Sequence, residues 1–278
     1  MRSCVVCGSF YESNKDNLIS QIKNCFSNNL GPGLPTENNK KDIVGIIVPH
    51  AGYFFSGACA AHAYKEIYNS KSKSFIIIGP NHHGQKSGIS NKDWQTPLGI
   101  VKTNQQLAKK ISENTDLEID DEPHVNEHSI EVQLPFLQYL FDDFDICAIS
   151  LGSDINLKKL GEDLSKIHKN EIFIISSDFT HYGLNFNYLP FVTNIEKNLE
   201  SLNLSSIKKI QNKNIEDFLN HIKTTKDTIC GKNGIIVFLN IIKNIKTKSN
   251  LLSYYKSSDI IPDKMNSVSY ISISFEKK

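Results

Sequence analysis

The sequence predicts an α/β fold, a three-layer sandwich in which a mainly parallel or mixed central sheet is covered by helices on both faces. Three short apolar runs carry this prediction, over residues 43–48, 75–79 and 172–175. Each run is rich in β-branched residues and is closed by Gly, Pro or Ser, as is typical of strands buried on both faces. Helical patterns alternate with strand patterns along most of the chain, which indicates parallel strands joined by crossover helices.

The other elements follow from residue periodicity and from helix-breaking residues. Apolar residues at every fourth position predict a helix over residues 14–28, and Gly31 begins a surface loop that runs to Lys41. We expect Ser56 to cap the helix that follows the first strand. Further helices are predicted over residues 105–113, 130–141, 157–168, 215–222 and 234–245, and further strands over residues 145–151, 251–256 and 267–275.

The last predicted strand differs from the others because apolar and serine residues alternate along it. The alternation changes phase between Tyr270 and Ile271. One apolar face predicts an antiparallel or edge strand, with a bulge at residues 270–271.

The composition fits a single domain over residues 1–278. Hydrophobic residues make up 39% of the chain and charged residues 22%, while the formal net charge is +1. This charge gives no reason to expect nucleic acid or an anionic membrane as a partner. No apolar run approaches membrane-spanning length and residues 1–10 lack the apolar segment of a signal peptide, so we expect no membrane insertion. The expected location is the cytoplasm, with the nucleus as an additional compartment.

The cysteines are expected to be reduced thiols, because a domain of this size in that compartment does not need disulfides. There are six of them: Cys4, Cys7, Cys25, Cys59, Cys147 and Cys230. Cys4 and Cys7 have the spacing of half a zinc knuckle, but no second pair at matching spacing follows. We therefore interpret this pair as the start of the fold, with metal binding as the weaker alternative.

Each of the three apolar runs leads into a histidine. His50 follows the first run, His82 and His83 follow the second, and His181 follows the third. The carboxyl ends of parallel strands share one edge of the sheet, and ligands of open α/β sheets bind there. A lone histidine is more often structural than functional, but neighbouring glycines that let the backbone approach a ligand favour a common site.

Two further segments carry histidines with two interpretations each. Asp178, three residues before His181, either caps the next turn or forms an acid–base pair with the imidazole. His128 stands at a predicted helix start, where Glu131 could form a capping box with an amino-terminal amide. His128 could instead face the crevice.

Cys230 stands between turn residues and directly before an apolar helix. The helix dipole and the nearby Lys232 are expected to favour its thiolate, although a buried, inert cysteine is the commonest alternative. Two imidazoles and one thiolate make a plausible three-point metal site. Such donors suit copper(I), zinc or iron, so they do not name the metal.

Five motifs together resemble the Memo family (mediator of ErbB2-driven cell motility), and they occur in the family's order over nearly the whole chain. The motifs are Pro49-His50-Ala51-Gly52-Tyr53, Gly79-Pro80-Asn81-His82-His83, Glu127-His128-Ser129-Ile130-Glu131, Ser176-Ser177-Asp178-Phe179-Thr180-His181 and Thr228-Ile229-Cys230-Gly231. The Gly8-Ser9-Phe10-Tyr11 element is also similar to the family. The stretch before it is shortened and lacks the histidine of animal members, so no role for that residue carries over.

The resemblance implies the fold of class III extradiol dioxygenases, in which two histidines and a glutamate hold iron. It implies a metal site at His50, His82 and Cys230, with Asp178 and His181 beside it as catalytic groups. A second tier of pocket residues comprises His83, His128 and Tyr53. Cys230 in place of the glutamate argues against ring-cleaving dioxygenase activity, because a thiolate changes the charge and the redox chemistry of the metal.

The function implied by the resemblance is a metal-binding redox protein that takes part in signalling to the cytoskeleton. Its cofactor would be iron or copper, with zinc as an alternative, and its activity, if any, that of a metal-dependent oxidoreductase. A phosphotyrosine-containing or other signalling peptide is the expected partner. Two other functions stay open: a peptide-binding adaptor without catalysis, and a hydrolase with Cys230 as nucleophile and His181 or His82 as base.

Overall fold

A computed structural model of the protein describes residues 1–37, 40–70, 72–263 and 265–278. A mixed sheet of ten strands lies between two helical layers in this part of the chain, which confirms the predicted fold class. The predicted loop from Gly31 to Lys41 includes Asn38 and Asn39, which lie outside the described residues. None of the helices in the described ranges is long and apolar enough to cross a membrane.

Most of the predicted helices and strands are present, with shifts of a few residues at their ends. The helices are α1 (Lys15–Ser27), α2 (Tyr53–Tyr68), α3 (Gln105–Asn114), α4 (Leu134–Leu140), α5 (Leu157–Ile167), α6 (Ile195–Gln211), α7 (Ile215–Thr225) and α8 (Lys232–Ile241). The strands are β1 (Ile43–Val48), β2 (Ser74–Pro80), β3 (Gly88–Ile89), β4 (Trp94–Thr96), β5 (Gly99–Thr103), β6 (Asp145–Leu151), β7 (Ile172–Ser176), β8 (His181–Gly183), β9 (Thr247–Lys256) and β10 (Asn266–Lys277). Sequence reasoning missed α6 and the four short strands β3, β4, β5 and β8.

The strand order in the sheet is β4-β5-β6-β2-β7-β1-β10-β8, with β3 beside β6 and β9 beside β10. The four central strands β6, β2, β7 and β1 run parallel to one another. Their carboxyl ends therefore meet at one edge of the sheet, which is where the candidate site lies.

Alternate residues of the parallel strands face opposite helical layers. In β1, Ile47 packs on the side of α5 and α8, whereas Ile46 and Val48 pack on the side of α1, α2 and α4. Burial on both faces explains why these strands are continuous apolar runs.

Strand β10 is antiparallel, as predicted, but it is not an edge strand because it pairs with β1, β8 and β9. Its register shift against β9 lies between Ser272 and Ile273 rather than at residues 270–271. The serines that suggested a solvent-facing side are buried: the hydroxyl of Ser272 donates to the carbonyl of Cys59 in α2. The alternating pattern therefore does not mark a solvent-exposed face of the strand.

One predicted helix start is wrong, and a second predicted helix is divided. Gly52 caps α2, and Ser56 lies inside its first turn with the hydroxyl donating to the carbonyl of Ala51 at 2.8 Å. The segment predicted as one helix over residues 130–141 is divided into a 3-10 turn, Glu131–Gln133, followed by α4. Pro135 lies in the first turn of α4, where its missing N–H removes no helical hydrogen bond.

The prediction of six reduced thiols is wrong for one pair, because Cys4 and Cys7 form a disulfide. Cys25, Cys59 and Cys147 are free and buried, and burial raises the pKa of each of these thiols to about 12. Only the spacing of Cys4 and Cys7 along the chain hinted at this pairing. Composition and compartment pointed the other way.

Candidate metal centre

Three histidine rings meet at the carboxyl edge of the parallel strands. His50 follows β1, His82 follows β2, and His128 lies in the loop before α4. The ring centroids are 5.2 Å apart for His50 and His82, 5.5 Å for His50 and His128, and 4.9 Å for His82 and His128. One nitrogen from each ring lies within 4.8 Å of the other two, which is close enough for one metal ion to bind all three.

The hydrogen bonds around His50 determine which of its nitrogens is free. The hydroxyl of Ser176 donates its single hydrogen to the carbonyl of Ser129 at 2.6 Å and accepts from the side-chain amide of Gln133 at 2.9 Å. The contact of 2.9 Å between Ser176 Oγ and His50 Nδ1 must therefore have the imidazole N–H as donor. The lone pair of His50 is then on Nε2, and burial lowers the pKa of the ring so that it stays neutral.

Glu127 orients His82 in the same way. Its fully buried carboxylate accepts from the backbone N–H of His82 at 2.6 Å and contacts the ring Nδ1 at 3.0 Å. Burial alone would raise the pKa of Glu127, but the hydrogen bonds from His82 and from the N–H of Ser129 hold it well below its usual range. The ionised carboxylate accepts only, so Nδ1 of His82 carries the hydrogen and Nε2 is the free donor atom.

His128 completes the cluster from a less constrained position. Its Nδ1 lies 3.5 Å from Glu127, and its ring packs edge-on against Phe10 with centroids 4.8 Å apart. Burial lowers its pKa, which favours the neutral, metal-binding form. The side chains of His82 and His128 are 31% and 20% exposed, so the cluster is accessible from solvent.

Cys230 contacts the cluster through His50. Its Sγ lies 3.1 Å from His50 Nε2 and accepts from the backbone N–H of Asp178 at 3.1 Å. It does not belong to the group of mutually close donors formed by the three histidines. Burial raises the pKa of the thiol well above its usual value, and the charge of Asp178 acts in the same direction. This burial opposes the thiolate that the helix dipole and Lys232 are expected to favour.

Asp178 and His181 flank the cluster on the β7 side. Asp178 does not cap the following turn: its Oδ1 accepts from the backbone N–H groups of His50 and Ala51, at 2.8 and 3.3 Å. Burial raises the pKa of its carboxyl group, while His181 and these N–H groups lower it. His181 Nδ1 lies 3.2 Å from the carbonyl of Thr228, which can only accept, so Nε2 is its free basic nitrogen.

The two remaining predicted pocket residues, Tyr53 and His83, lie outside the group of three close histidines. The hydroxyl of Tyr53 donates to the carbonyl of Val132 at 2.6 Å, and its ring is buried against Phe136 in the core. Tyr53 thus supports the helix beside the site and does not present its hydroxyl to the histidines. His83 is exposed, and it forms a second group of close donors with Glu127 and His128.

Sequence reasoning missed three residues that orient the histidines: Glu127, Ser176 and Gln133. It also assigned Glu131 to a helix cap. The structure instead uses that carboxylate to bind Arg2 at 2.6 Å and the amino-terminal loop. The adjacent histidine was the available signal for Glu127, since a carboxylate often orients a metal-binding imidazole.

The donor set fits a first-row transition metal. Two imidazole nitrogens are held with their lone pairs free, a third is close, and a thiol touches the first. Metal–nitrogen and metal–sulfur bonds of about 2.0 and 2.3 Å place tetrahedral ligand atoms roughly 3.5 Å apart. The contact of 3.1 Å between Cys230 Sγ and His50 Nε2 is near this value, so a small movement would let both bind one ion.

Two cavities are lined by aromatic residues that pack on His128 or His181. One, of about 360 Å³, is lined by Phe10, Gly52 and Phe54, and so begins next to the ring that packs on His128. The other, of about 350 Å³, includes Phe186, whose ring lies 5.2 Å from that of His181. Phe55 lines both cavities, so each of them presents aromatic surface.

Comparison with known proteins gives matches over nearly the whole chain. Residues 2–274 match the family described as "Memo-like protein". A "MEMO1 family protein" of Nitrosopumilus maritimus is 36% identical over 99% of both chains, and one of Sulfurisphaera tokodaii is 35% identical over 99% of both chains. A solved structure of an uncharacterized protein from Escherichia coli K12 superposes with a TM-score of 0.48 at 11% identity, over 84% of this chain and 99% of that one.

Proposed function

The chain belongs to the Memo-like family, and from this premise we propose that it binds a transition-metal ion, iron or copper, at the histidine cluster and uses it in redox chemistry. The observation that carries the proposal is the pair of oriented imidazoles. His50 and His82 each have Nδ1 bound by a buried acceptor, so both Nε2 lone pairs are available for one ion. A partner on the second ring nitrogen orients an imidazole for metal binding.

We assign the ligands as His50 and His82, with Cys230 as the third donor and His128 as a further donor on the open side. Cys230 contacts only His50 among these residues at hydrogen-bond distance, whereas His128 is close to both other rings. Binding of an ion would have to displace the thiol hydrogen, which makes the affinity pH-dependent. Zinc fits the same donors and serves as a redox-silent probe.

We assign the acid–base and positioning roles to His181 and Asp178, which flank the histidine cluster. Iron or copper supplies one-electron redox chemistry when bound. His181 offers Nε2 as a proton acceptor, because Thr228 holds its Nδ1 hydrogen. Asp178 binds the backbone of His50 and, through its own N–H, the sulfur of Cys230, so it positions two proposed ligands at once.

Metal stoichiometry and affinity of untagged protein test this assignment. His50→Ala and His82→Ala should each abolish stoichiometric binding of zinc and copper, while Cys230→Ser and His128→Ala should each weaken it by at least about tenfold. His83→Ala is the matched control on the neighbouring exposed histidine. Unchanged binding in both His50→Ala and His82→Ala would refute the metal site.

A hydrolase is the competing enzyme, and the structure changes which histidine would act as its base. His50, rather than His181 or His82, lies within 3.1 Å of the Cys230 sulfur and would be the base. Burial raises the pKa of that thiol, which weakens it as a nucleophile. Rapid alkylation of Cys230 in metal-free protein, together with a burst of acyl product, would favour the hydrolase over the metal protein.

A peptide ligand is the second candidate function, favoured by apolar side chains exposed beside the site. Phe54 and Leu184 are 66% and 68% exposed, and Phe186 packs on His181. The proposed partner is a phosphotyrosine-containing signalling peptide, with a cytoplasmic role in motility signalling. Titration with such a peptide and with its unphosphorylated form, observed at the ring of His181, tests it. Equal and weak binding of both would remove the phosphate-specific partner.

A further inference from the structure

One buried carboxylate holds the amino-terminal loop. Glu131 is fully buried and accepts from the backbone N–H groups of Val5 and Val6, at 2.9 and 3.1 Å. It also accepts from the hydroxyl of Tyr11 at 2.6 Å and pairs with Arg2 at 2.6 Å. An ionised carboxylate without these partners would be unstable inside the protein, so the loop and the carboxylate depend on each other.

The two backbone donors lie between the bonded cysteines. The Cys4–Cys7 disulfide closes a ring around Val5 and Val6, and this restricts the conformations in which their N–H groups could point elsewhere. Both cysteines are partly exposed, whereas Cys25, Cys59 and Cys147 are buried. A small dithiol reductant could therefore reach this pair before those thiols.

The same loop continues into the wall of the histidine cluster. The ring of Phe10 packs on His128, with centroids 4.8 Å apart, and its carbonyl accepts from the N–H of Tyr53 at 2.7 Å. Its N–H in turn donates to the carbonyl of Val6 at 2.8 Å. The disulfide loop is thus connected to His128 through a single aromatic residue.

We propose that Cys4 and Cys7 form a reversible thiol–disulfide site whose redox state controls the order of the loop and the position of His128. A thiolate of a dithiol reductant attacks one sulfur, the S–S bond breaks, and the other cysteine leaves as a thiolate and takes a proton. The second reductant thiol then attacks the mixed disulfide, so two electrons and two protons pass to the protein and the reductant becomes a cyclic disulfide. Disulfides of cytosolic proteins, where they occur, are commonly of this reversible kind.

Redox titration and hydrogen exchange test the site without any metal. The metal-free full chain is equilibrated in dithiothreitol redox buffers, and free thiols are alkylated and mapped by mass spectrometry. We expect Cys4 and Cys7 to change together between disulfide and dithiol within the range of reduction potentials that the buffers cover. Cys25, Cys59 and Cys147 should stay unlabelled whether this pair is oxidised or reduced. Amide exchange in the peptide covering residues 5–10 should become about tenfold faster after reduction. Exchange in α5 and α8 should not change.

The double variant Cys4→Ser/Cys7→Ser lacks the disulfide without any reductant and so represents the reduced protein. Cys230→Ser is its control. The double variant should show the faster exchange at residues 5–10, whereas Cys230→Ser should keep the slow exchange and the redox transition. The proposal is overturned if the pair does not interconvert in any buffer, or if exchange is the same in both states.

The effect on the metal site rests on the proposed function and is measured separately. Zinc affinity of the double variant should be several-fold weaker than that of the oxidised protein, because His128 loses its fixed neighbour. Absence of zinc binding in every form would refute the metal site but leave the thiol–disulfide site intact. Equal zinc affinity of the oxidised protein and the double variant would refute the connection to His128.

Discussion

At the scale of single residues, the candidate site depends on the groups that orient the two histidines proposed as ligands. Ser176 and Glu127 each bind one ring nitrogen and thereby leave the opposite nitrogen free. A histidine without such a partner exchanges between tautomers and pays an orientational cost when it binds an ion. These buried partners fix the tautomers of His50 and His82, the two histidines proposed as ligands.

Glu127→Gln tests this orienting role. The amide is a weaker acceptor, and its NH2 group would meet an N–H donor of His82 or Ser129, so the ring of His82 should lose its fixed tautomer. We expect zinc affinity to fall by about 10- to 100-fold with the fold retained. Isothermal titration and circular dichroism measure the two properties. Glu122→Gln, on an exposed carboxylate of the same loop, should bind zinc like the unaltered protein, and normal affinity in Glu127→Gln would contradict the role.

At the scale of elements, the site is assembled by loops that leave parallel strands at one edge of the sheet. The end of β2 passes so close to the loop before α4 that Gly79 contacts Ser129, and a Cβ at this position would overlap the Ser129 hydroxyl. It would also stand 3.0 Å from Ile130. Close packing between the end of β2 and the loop before α4 sets the distance between His82 and His128.

Gly79→Ala should therefore displace the loop that carries His128. Overpacking of this kind costs about 1–3 kcal/mol, so we expect the free energy of unfolding to fall by that amount and zinc affinity to fall with it. Gly84→Ala is the matched control, since a Cβ there meets Asn81 at an ordinary 3.4 Å. Denaturant unfolding and zinc titration of both variants measure the effects. Equal stability of the two variants would show that the loops are not tightly packed.

At the scale of the whole molecule, several histidines are buried as neutral rings, so acid should weaken the fold. His124 is an example. Its Nε2 lies 3.1 Å from the carbonyl of Gly88, and its Nδ1 has no hydrogen-bond partner among the residues that the structure describes. Burial lowers the pKa of this ring to about 4. The unfolded chain binds a proton at this residue near pH 6.5, before the folded protein does. The stability present above pH 6.5 is therefore lost as the pH falls towards 4.

His124→Gln should flatten this acid dependence. The difference between the two pKa values corresponds to about 3 kcal/mol of unfolding free energy lost between pH 6.5 and 4 in the unaltered protein. The variant keeps a donor for Gly88 and should be less stable at pH 7 but lose less stability on acidification. Urea unfolding at a series of pH values from 7 to 4 gives the slope of unfolding free energy against pH for the variant and for the unaltered protein. His62→Gln, on a less buried ring, is the control, and identical slopes in His124→Gln and the unaltered protein would exclude His124 as a source.

Sequence patterns predict those elements whose structure follows from a local property, such as a run of apolar residues. Continuous β-branched runs identified β1, β2 and β7 because burial on both faces requires apolar residues at every position. Parallel pairing of these strands places His50 and His82 at the same edge of the sheet. Three of the five family motifs lie at the carboxyl ends of these strands. Helix α6 was missed because polar residues interrupt its apolar positions, and neighbouring elements supply its packing.

The tertiary structure alone decided which polar groups meet. Glu131 binds a loop more than a hundred residues away, and Ser176 and Gln133 reach His50 from β7 and the 3-10 turn. It likewise brought His128 into the cluster and left Cys230 in contact with His50. The sequence by itself determined the fold class, the family and the edge where the histidines converge, because these follow from periodicity and motif order. Hydrogen bonds between distant segments have no periodic trace in the sequence, so only the folded chain shows which nitrogen of each histidine is free.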